Sequence, residues 1–483
     1  MLLTRGRGAE VYLVERAPEL AFFGGYQALP GGNVDPRDGA DEERALRVCA
    51  ARELFEETGV LPPGLAAGLD PGRRAHLRRD LCAGAPGAAR FWELVAAAPD
   101  ALAPLRAFGR LTTPPFAPVR YRTRLFHLEL PPGEEPRIDP GELCAGRFVR
   151  PADELARWTR GEARIAPPVT FLLEELAARG LEPALAAAGA VCDELEAGAL
   201  HPVRAAPGLW MAPLRTPTVP PATTTNTYFV GDEALYVVDP ATPYPDEQER
   251  LFACMDRFCA AGRRFAGILV THHHADHVGA VAAASARYGL PVHGHRLTLD
   301  RLPPGFRRGR ALLDGDALEL GTAPDGAPGW RLAALHTPGH DRGHLIFVDS
   351  RYGFALAGDL VSTLSTIVID PPEGHMATYL ASLARARDLD LALLCPAHGP
   401  TATRPRALLA GFLAHRAARE EKLVRALAAG ARSPAELLPA VYDDVEHALA
   451  PLAARSLAAG LEKLAEERRA RERADGRWEL ARA

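Results

Sequence analysis

The sequence predicts a multi-domain α/β protein, and three observations support this fold class. Its 483 residues exceed what a single hydrophobic core usually holds. Short apolar runs that indicate buried strands lie close to helix-like stretches, as where FAGILV and VGAVAAASARYG flank a short polar loop. Proline-rich stretches at 201–208 and 399–406 mark boundaries between domains. The predicted domains are residues 1–183, 205–400 and 405–483.

The composition is that of an ordinary globular protein. With 47% apolar residues, 24% charged residues and a net charge of -5, the chain has no overall charge signature for nucleic acid or membrane, so any basic surface must be local. Seven cysteines without a Cys-x-x-Cys pair indicate free thiols in a reducing compartment. The opening MLLTRGRGAE is too short and polar for a signal peptide, and no long apolar run predicts a membrane span. We therefore expect a cytoplasmic protein with no membrane partner.

A cluster of histidines and an aspartate directly follows the strand-like run FAGILV. Its sequence is THHHADH at 271–277. A loop at the carboxyl end of a strand and backed by a helix is where layered α/β folds place their chemistry. Imidazole and carboxylate ligands suit zinc or a similar first-row metal. Residues two apart in an extended turn point the same way, so His272 and His274 can bind one ion while Asp276 and His277 bind another.

The pattern His-x-His-x-Asp-His resembles the signature of the metallo-β-lactamase superfamily. Three later motifs resemble the remaining ones of that family, each after an apolar stretch: TPGH at 337–340, AGD at 357–359 and PAHG at 396–399. The resemblance implies an αββα sandwich for the central domain, with two bound metal ions. The implied ligands are His272, His274 and His340 for the first metal, Asp276, His277 and His398 for the second, and Asp359 as a bridge.

This ligand set predicts metal-assisted hydrolysis. Two adjacent divalent ions, expected to be zinc, lower the pKa of a shared water, polarise the bond to be cleaved and stabilise the developing oxyanion. We expect a bridging hydroxide to attack an ester, thioester or phosphodiester, with Asp276 and Asp359 as the catalytic carboxylates. Four other histidines fit no ligand position and are interpreted as neighbours of the site: His273, His336, His344 and His375.

A helix with clustered glutamates is predicted over residues 41–60. Asp41 is a suitable N-cap, and Gly59 ends the helix before two prolines. One face of this helix carries apolar residues, and three glutamates gather within one turn on the other side. Like charges so close repel unless they face water or hold a hard cation such as Mg²⁺ or Mn²⁺. The apolar face comprises Val48, Ala51 and Phe55, and the glutamates are Glu53, Glu56 and Glu57.

The string RELFEETGV at 52–60 resembles the second half of the Nudix box. LPGG at 29–32, after the strand-like AEVYLVER, resembles the start of the same motif. The resemblance implies an N-terminal α/β/α sandwich that hydrolyses a nucleoside diphosphate linked to another moiety. It also implies that Mg²⁺ or Mn²⁺ is bound by the three glutamates, that Glu56 is catalytic, and that Arg52 orients them as a salt-bridge partner.

The loop between the two halves of this motif is longer than in most Nudix boxes. Arg44 occupies the position expected for the first glutamate, and Glu42 or Glu43 is a candidate substitute. The longer loop, the phrase GGYQALPGGNVDP and RYRTRLFHLEL near residue 120 resemble the coenzyme A diphosphatase subgroup. The alternative is a degenerate Nudix fold that binds nucleotides without cleaving them. Since Met1 lies almost inside the first expected strand, we expect the N-terminus to be slightly shortened or its start misassigned.

The tail from residue 405 predicts three helices and a hairpin. Apolar positions keep a helical period from Leu409 to Leu427, the capping box SPAE at 433–436 starts a second helix, and VEHALAPLAARSLAAGLEKLAEE predicts a third. The Asp-Gly pair at 475–476 indicates a hairpin. This order resembles the winged helix of the metallo-β-lactamase-fold endoribonucleases. Five arginines near the end of the tail can contact RNA phosphates, although glutamates lie among them: Arg468, Arg469, Arg471, Arg473 and Arg477.

The sequence therefore predicts a bifunctional hydrolase with a dinuclear zinc site and a Mg²⁺- or Mn²⁺-dependent Nudix site for coenzyme A or another nucleoside diphosphate derivative. The substrate of the zinc site is left open between a small ester or thioester and RNA. In the RNA alternative the chain is a single-strand endoribonuclease, the winged helix binds RNA, and the Nudix domain is a non-catalytic nucleotide sensor. If the tail does not bind RNA, we expect it to pack beside the zinc site and narrow its mouth.

Overall fold

The computed structural model describes residues 1–20, 23–114 and 120–481 and divides the chain into two compact units. The first unit holds the described residues up to Pro207, apart from Pro114, and the second begins at Gly208. Residues 208–481 form one unit, so the predicted boundary between a central and a C-terminal domain remains a prediction. Within the described part of the chain, each helix is too short or too polar to cross a membrane.

The first unit is built around a six-stranded sheet with the order β3-β2-β1-β5-β4, in which β6 also pairs with β2. Only the β1–β5 pair of these neighbours is parallel. The strands of this sheet are β1 (Leu2–Arg5), β2 (Glu10–Arg16), β3 (Gln27–Ala28), β4 (Arg106–Thr112), β5 (Arg122–Glu129) and β6 (Leu143–Val149), and β7 (Val203–Ala206) lies outside it. The helices are α1 (Glu42–Thr58), α2 (Pro63–Ala66), α3 (Pro71–Cys82), α4 (Ala89–Ala97), α5 (Pro151–Thr159), α6 (Pro167–Arg179) and α7 (Leu181–Glu196).

Alternation along β1 and β2 gives this sheet two buried faces. Leu3 and Tyr12 lie in a cluster with α1, α3 and α4, whereas their neighbours Leu2 and Val11 lie in a second cluster with α5, α6 and α7. Successive side chains of a strand point to opposite faces, so a sheet that is covered on both sides needs apolar residues at consecutive positions. The unit is therefore an α/β/α sandwich.

Helix α1 forms as its sequence predicts. The side chain of Asp41 accepts a hydrogen bond from the Arg44 amide (2.9 Å), and Gly59 ends the helix with a φ of 75°, a left-handed conformation that glycine adopts without strain. Val48 and Phe55 of its apolar face are 2% and 1% exposed. The helix is thereby held against the sheet with the glutamates on its other side.

The second unit contains two sheets that face each other. The first has the order β13-β12-β11-β10-β9-β8 within this unit, and the second the order β14-β15-β16-β17-β18. The first sheet comprises β8 (Leu209–Arg215), β9 (Thr224–Gly231), β10 (Ala234–Val238), β11 (Arg264–Leu269), β12 (Pro291–Gly294) and β13 (Arg307–Ala311). The second comprises β14 (Ala317–Gly321), β15 (Trp330–His336), β16 (Leu345–Asp349), β17 (Phe354–Gly358) and β18 (Leu393–Pro396).

Helices cover the outer faces of both sheets, which makes this part an αββα sandwich. Phe258 of α8 packs against the rings of Trp210 and Phe229 on the first sheet. Tyr379 and Leu383 of α12 belong to one buried cluster with strands of the second sheet. The helices are α8 (Pro245–Ala260), α9 (Ala275–Val278), α10 (Val281–Tyr288), α11 (Arg296–Leu299) and α12 (Met376–Arg387).

The tail consists of three helices and a hairpin, as predicted. Its elements are α13 (Pro405–Ala428), α14 (Pro434–Val441), α15 (Ala450–Glu466), β19 (Ala470–Glu472) and β20 (Trp478–Leu480). Ser433 and Glu436 form the expected capping box. The third helix begins at Ala450 rather than at the predicted start near residue 445, since a short 3-10 turn at His447–Leu449 precedes it and Pro451 suits the first turn.

Helix α13 belongs to two cores. Leu409 and Phe412 in its first half pack with α12 and the second sheet, while Leu423 and Leu427 in its second half pack with α14 and α15. The tail is therefore continuous with the sandwich that carries the histidine motifs.

Candidate metal centres

All four histidine and aspartate motifs of the second unit follow the ends of strands. The loop 271–277 comes after β11, and His340, Asp359 and His398 come after β15, β17 and β18. Strands β17 and β18 are parallel, so their carboxyl ends lie at the same edge of the second sheet. This edge meets the carboxyl end of β11, and the motifs converge there.

The predicted ligands of the first metal form one cluster. His272 Nε2 and His340 Nε2 each lie 3.0 Å from His274 Nδ1, and Asp359 Oδ2 lies 3.5 Å from His340 Nε2. One ligand atom from each of these four residues lies within 4.8 Å of the others. The structure thus brings together the residues that the sequence assigns to this metal.

The predicted ligands of the second metal form a neighbouring cluster around the same aspartate. Asp276, His277 and His398 have ligand atoms within 4.8 Å of one another. Asp359 Oδ1 lies 3.4 Å from His277 Nε2 and 3.3 Å from His398 Nε2. The two oxygens of Asp359 therefore face different clusters, as a bridging carboxylate must.

The atoms at the centre of these clusters fit a metal ion better than they fit each other. Among the described residues, His277 Nε2 and Asp359 Oδ1 are buried without a hydrogen-bond partner. Zinc–nitrogen bonds of about 2.0–2.1 Å in a tetrahedral site place the ligand nitrogens roughly 3.3 Å apart, close to the 3.0 Å separations of the first cluster. Nitrogen and carboxylate donors at this spacing suit zinc or a similar divalent ion.

The surroundings shift the pKa values of buried histidines in the two clusters in opposite directions. Burial lowers the pKa of His272 well below its usual range and that of His274 to about 4, so both imidazoles are neutral and keep a lone pair for a metal. Burial is the largest single effect on His277 and His398 and lowers their pKa values, but the carboxylates around them, Asp359 first, together outweigh it and raise both. Burial would raise the pKa of Asp359, yet His398 and His277 hold it well below its usual range.

Hydrogen bonds at the far nitrogens orient the histidines of both clusters. His340 Nδ1 donates to the carbonyl of Val368 (2.9 Å), and His398 Nδ1 donates to that of Thr224 (3.0 Å). In each case Nε2 is left facing the centre. Such partners fix the tautomer and the ring orientation of a metal ligand.

Asp239 is a site residue that the sequence reasoning missed. Its carboxylate accepts hydrogen bonds from the Thr271 amide (2.8 Å), the Thr271 hydroxyl (2.7 Å) and His277 Nδ1 (2.9 Å). It directly follows β10, which is parallel to β11, so it lies at the same sheet edge as the histidine loop. A carboxylate directly after the apolar run ALYVV was the available signal.

The histidines outside the predicted ligand set have other partners. His344 is buried, and its Nε2 accepts a hydrogen bond from the Asp359 amide (3.0 Å). His273 Nδ1 lies 2.6 Å from an Asp341 oxygen. His336 stacks on His295, and His375 Nε2 lies 2.9 Å from a Glu466 oxygen of the tail.

In the first unit, Arg52 joins the glutamates of α1 to the lengthened loop. Its guanidinium lies 2.9 Å from Glu53 and 3.3 Å from Glu56, and on the other side 3.1 Å from Asp38. The Asp38 side chain is fully buried and also accepts a hydrogen bond from Trp92 Nε1 (2.9 Å). This network fixes the guanidinium between the loop and the helix.

The acidic side chain that the lengthened loop places against Arg52 is therefore Asp38, and the suggested substitution by Glu42 or Glu43 stays a prediction. Glu43 lies beside Arg47 and Arg124, and Glu42 is exposed in the first turn of α1. The loop forms a 3-10 turn at Pro36–Asp38, in which Asp38 is buried. Counting back along the sequence from α1 leads to Arg44 instead of Asp38, because the extra residues of the loop lie between Asp38 and the helix.

The three glutamates of α1 are partly or largely withdrawn from water. Burial raises the pKa of Glu57 to about 8 and raises those of Glu53 and Glu56. Glu57 accepts a hydrogen bond from the Gly31 amide (2.9 Å), and a Cβ at Gly32 would lie 2.5 Å from the Glu53 carboxylate, so a side chain there would displace that carboxylate. Buried carboxylates of this kind favour a divalent cation. In the described chain, the groups with three or more ligand atoms within 4.8 Å all lie in the second unit, so these glutamates are spread more widely.

The arginines of the tail hairpin are engaged with carboxylates. Arg471 lies 2.6 Å from Glu479, Arg477 lies 3.0 Å from Glu436, and Arg469 lies 2.9 Å from Glu467. Any phosphate contact by these side chains would have to displace their acidic partners.

Three family models match the chain in the order in which these sites occur. The NUDIX domain matches residues 1–80, the Metallo-beta-lactamase superfamily matches 220–398, and the Beta-lactamase associated winged helix domain matches 433–478. The chain thus contains a Nudix domain, a metallo-β-lactamase domain and the winged helix associated with it. Its two folded units belong to hydrolase families.

Curated proteins and solved structures resemble parts of the chain. A hydroxyacylglutathione hydrolase of Fuscovulum blasticum is 32% identical over 145 residues, which are 30% of this chain and 52% of that protein. An atrochrysone carboxyl ACP thioesterase of Aspergillus novofumigatus is 27% identical over 43% of this chain and 59% of its own length. The chain therefore spans about half the length of the first of these relatives. A metallo-beta-lactamase family protein of Thermus thermophilus aligns with 56% of this chain and 98% of its own, with a TM-score of 0.47 and 24% identity.

Proposed function

We propose that the chain is a bifunctional metal-dependent hydrolase. In the second unit, a dinuclear zinc site cleaves a small thioester or ester. In the first unit, a Mg²⁺- or Mn²⁺-dependent Nudix site cleaves a pyrophosphate bond of coenzyme A or another nucleoside diphosphate derivative. The observation that carries the first part is the position of Asp359, whose two oxygens face the two ligand clusters.

Seven residues would hold the two zinc ions. The neutral His272 and His274, with His340, suit one ion, and Asp276, His277 and His398 suit the other, with Asp359 between them. When bound, the ions would lower the pKa of a water and polarise the carbonyl of the substrate. Asp359 holds both ligand sets at a fixed spacing, since it touches members of each.

Asp276 and Asp359 are the proposed catalytic carboxylates. The side chain of Asp276 is 18% exposed and its Oδ2 lies 3.5 Å from His398 Nε2. An oxygen so placed can accept a proton from the attacking water and release it to solvent. Asp359 is less exposed and faces ligands of both clusters, so we assign it to orientation and charge balance.

A thioester or ester substrate is supported by the names of the relatives and by the ion pairs of the arginines in the tail. The Aspergillus novofumigatus protein is a thioesterase by name, and its match covers 43% of this chain. RNA is the alternative, favoured by the winged helix. The carboxylate partners of Arg471 and Arg477 leave less free positive charge for phosphates, so we prefer the thioester.

In the Nudix site, Glu53, Glu56 and Glu57 would hold the Mg²⁺ or Mn²⁺ ion. The buried Asp38 fixes Arg52, and Arg52 in turn restrains Glu53 and Glu56. Glu56 is the proposed catalytic residue, since its side chain is 21% exposed, against 15% for Glu53. The other candidate is a nucleotide sensor with the same binding residues and no turnover.

An activity panel on two variants tests both sites. Acyl thioesters, single-stranded RNA and nucleotide pyrophosphates are offered to the wild type, His272→Ala and Glu56→Ala. We expect His272→Ala to lose thioester hydrolysis by about 100-fold or more, and Glu56→Ala to lose pyrophosphate hydrolysis to a similar extent. Each variant should keep the activity of the other site, which serves as its folding control.

Three results would contradict these assignments. RNA cleavage that is lost in His272→Ala would overturn the thioester-only function of the zinc site. Pyrophosphate hydrolysis at full rate in Glu56→Ala would overturn the Nudix assignment. Less than one zinc ion per chain after careful loading would remove the dinuclear site.

A further inference from the structure

The segment that orients His340 has no regular secondary structure of its own. His340 donates through Nδ1 to the carbonyl of Val368, which lies between β17 and α12 in an extended stretch outside helices and strands. A backbone carbonyl can orient a ligand only if the segment that carries it is itself fixed. Val368 therefore needs supports from elsewhere in the fold.

The tail supplies these supports on both sides of Val368. Arg416 of α13 donates from its guanidinium to the carbonyl of Ile367. Ser456 of α15 accepts a hydrogen bond from the Ile369 amide through its hydroxyl oxygen (3.2 Å). The residues immediately before and after Val368 are thus each held by a different helix of the tail.

The surroundings of Arg416 indicate a structural role for its guanidinium. It is 5% exposed, and among the described residues no carboxylate lies within 4.0 Å of its guanidinium. Its Cζ also lies 5.5 Å from the ring centre of Tyr379, whose hydroxyl donates to the carbonyl of Leu360 (3.0 Å), the residue after Asp359. Burying a guanidinium without an anion is unfavourable, so its hydrogen bond to the backbone and its ring contact are what stabilise it there.

We propose that Arg416 and Ser456 are positioning residues of the zinc site, through which the tail orients a metal ligand. Arg416 holds Ile367, Ser456 holds Ile369, and the carbonyl of Val368 between them aims His340. This proposal rests on the dinuclear site proposed above. Loss of a hydrogen-bond partner behind a ligating histidine typically weakens metal binding by about 10- to 100-fold.

Arg419 provides a matched control on the same helix. It is 9% exposed, and its guanidinium donates to the carbonyl of Val441 (2.6 Å) and lies 2.6 Å from Asp444. Both of these partners belong to the tail. Arg416→Gln and Arg419→Gln each remove one buried guanidinium from α13, but only the first releases the segment behind His340.

The test measures zinc affinity by competition with a chromogenic chelator, together with the absorption spectrum of the cobalt-loaded proteins. We expect Arg416→Gln to weaken one of the two zinc sites by about 10-fold or more and to change the cobalt bands. Arg419→Gln should stay within about twofold of the wild type, whatever its effect on thermal stability. Arg416→Lys, which keeps a donor, should recover part of the affinity.

Ser456→Ala is the second variant, because it removes a single hydroxyl and is less disruptive if Arg416→Gln fails to fold. We expect it to weaken zinc binding several-fold and to speed hydrogen exchange of the Ile369 amide, which loses its acceptor. Wild-type zinc affinity in both Arg416→Gln and Ser456→Ala would overturn the proposal. Equal losses in Arg416→Gln and Arg419→Gln would also overturn it, since they would reflect general destabilisation of the tail. A wild type that binds no zinc would instead refute the proposed function.

Discussion

At the scale of single residues, Asp239 connects two parts of the histidine loop. One carboxylate oxygen accepts a hydrogen bond from the backbone amide of Thr271 at the start of the loop, and the other accepts one from His277 near its end. Asp239 has a φ of 48°, a left-handed conformation that is uncommon outside glycine. A buried aspartate in this conformation, bonded to a predicted ligand, is better explained by the site than by packing alone.

We expect Asp239→Asn to weaken zinc binding at the site that contains His277. The new amide group cannot accept all three hydrogen bonds that the carboxylate accepts, so the ring of His277 loses its restraint. The expected loss is about 10- to 100-fold in affinity, measured by chelator competition. Asp349→Asn is the control, because Asp349 is also a buried carboxylate but bonds Trp330 and the amides of the turn after β16. An equal effect of both substitutions on affinity would contradict the assignment.

A second residue-scale prediction concerns the pH dependence of stability. Burial, and then Arg310, lower the pKa of His293, whose Nδ1 accepts a hydrogen bond from the Arg310 amide (2.9 Å). The folded protein therefore disfavours the proton that the unfolded chain accepts near pH 6.5. The stability that His293 contributes is present above that pH and is lost as the pH falls below it.

We expect wild type to lose more unfolding free energy than His293→Gln between about pH 8 and about pH 5.5. Urea unfolding of both proteins in the presence of a chelator measures this difference without a contribution from bound metal. Parallel pH curves for the two proteins would show that His293 does not titrate as its burial implies.

At the scale of elements, the packing of α13 determines whether the αββα sandwich can fold without the tail. Its first half packs with α12 over the second sheet, and its second half packs with α14 and α15. Removing Phe412 and Leu409 would leave the outer face of α12 without its cover. Deleting one large core side chain commonly costs about 3–5 kcal/mol, against a net stability of about 5–15 kcal/mol for a whole domain.

We therefore expect a chain of residues 208–404 not to fold, whereas a chain of residues 208–483 should fold. The shorter chain should lack a sharp near-UV dichroism spectrum and bind less than one zinc ion, whereas the longer one should bind two. A folded 208–404 chain with wild-type zinc affinity would show that the tail is an independent domain. It would also remove the basis for the role assigned to Arg416.

At the scale of the whole molecule, the chain consists of two compact units with different candidate metal sites. The first has glutamate oxygens suited to Mg²⁺ or Mn²⁺, and the second has histidines suited to zinc. Each unit also has a hydrophobic core of its own. All predicted ligands of each site thus lie within a single unit.

We expect residues 1–207 and residues 208–483, expressed separately, each to keep its own activity. Pyrophosphate hydrolysis by the first and thioester hydrolysis by the second should stay within about threefold of the full chain in kcat/KM, a change of less than about 1 kcal/mol. An activity that appears only in the full chain would show that the two units depend on each other.

Short stretches of sequence predict much of the architecture. The helical period and end signals of α1, the capping box of α14 and the hairpin pair at 475–476 are local patterns, and each forms as predicted. The four histidine and aspartate motifs are also local, because each follows the end of a strand and its ligand types suit zinc or a similar metal. The sequence by itself therefore determined the fold class, the three kinds of domain and the candidate ligands.

Only the tertiary structure decided which residues support those ligands. Asp38 contacts Arg52 from the lengthened loop, Asp239 contacts His277 from the end of another strand, and Arg416 contacts Ile367 from the tail. The partners of each pair are far apart along the chain or are separated by an insertion, so no fixed spacing in the sequence predicts their contact. A hydrogen bond between distant segments depends on how the whole chain packs, and that packing exists only in the folded protein.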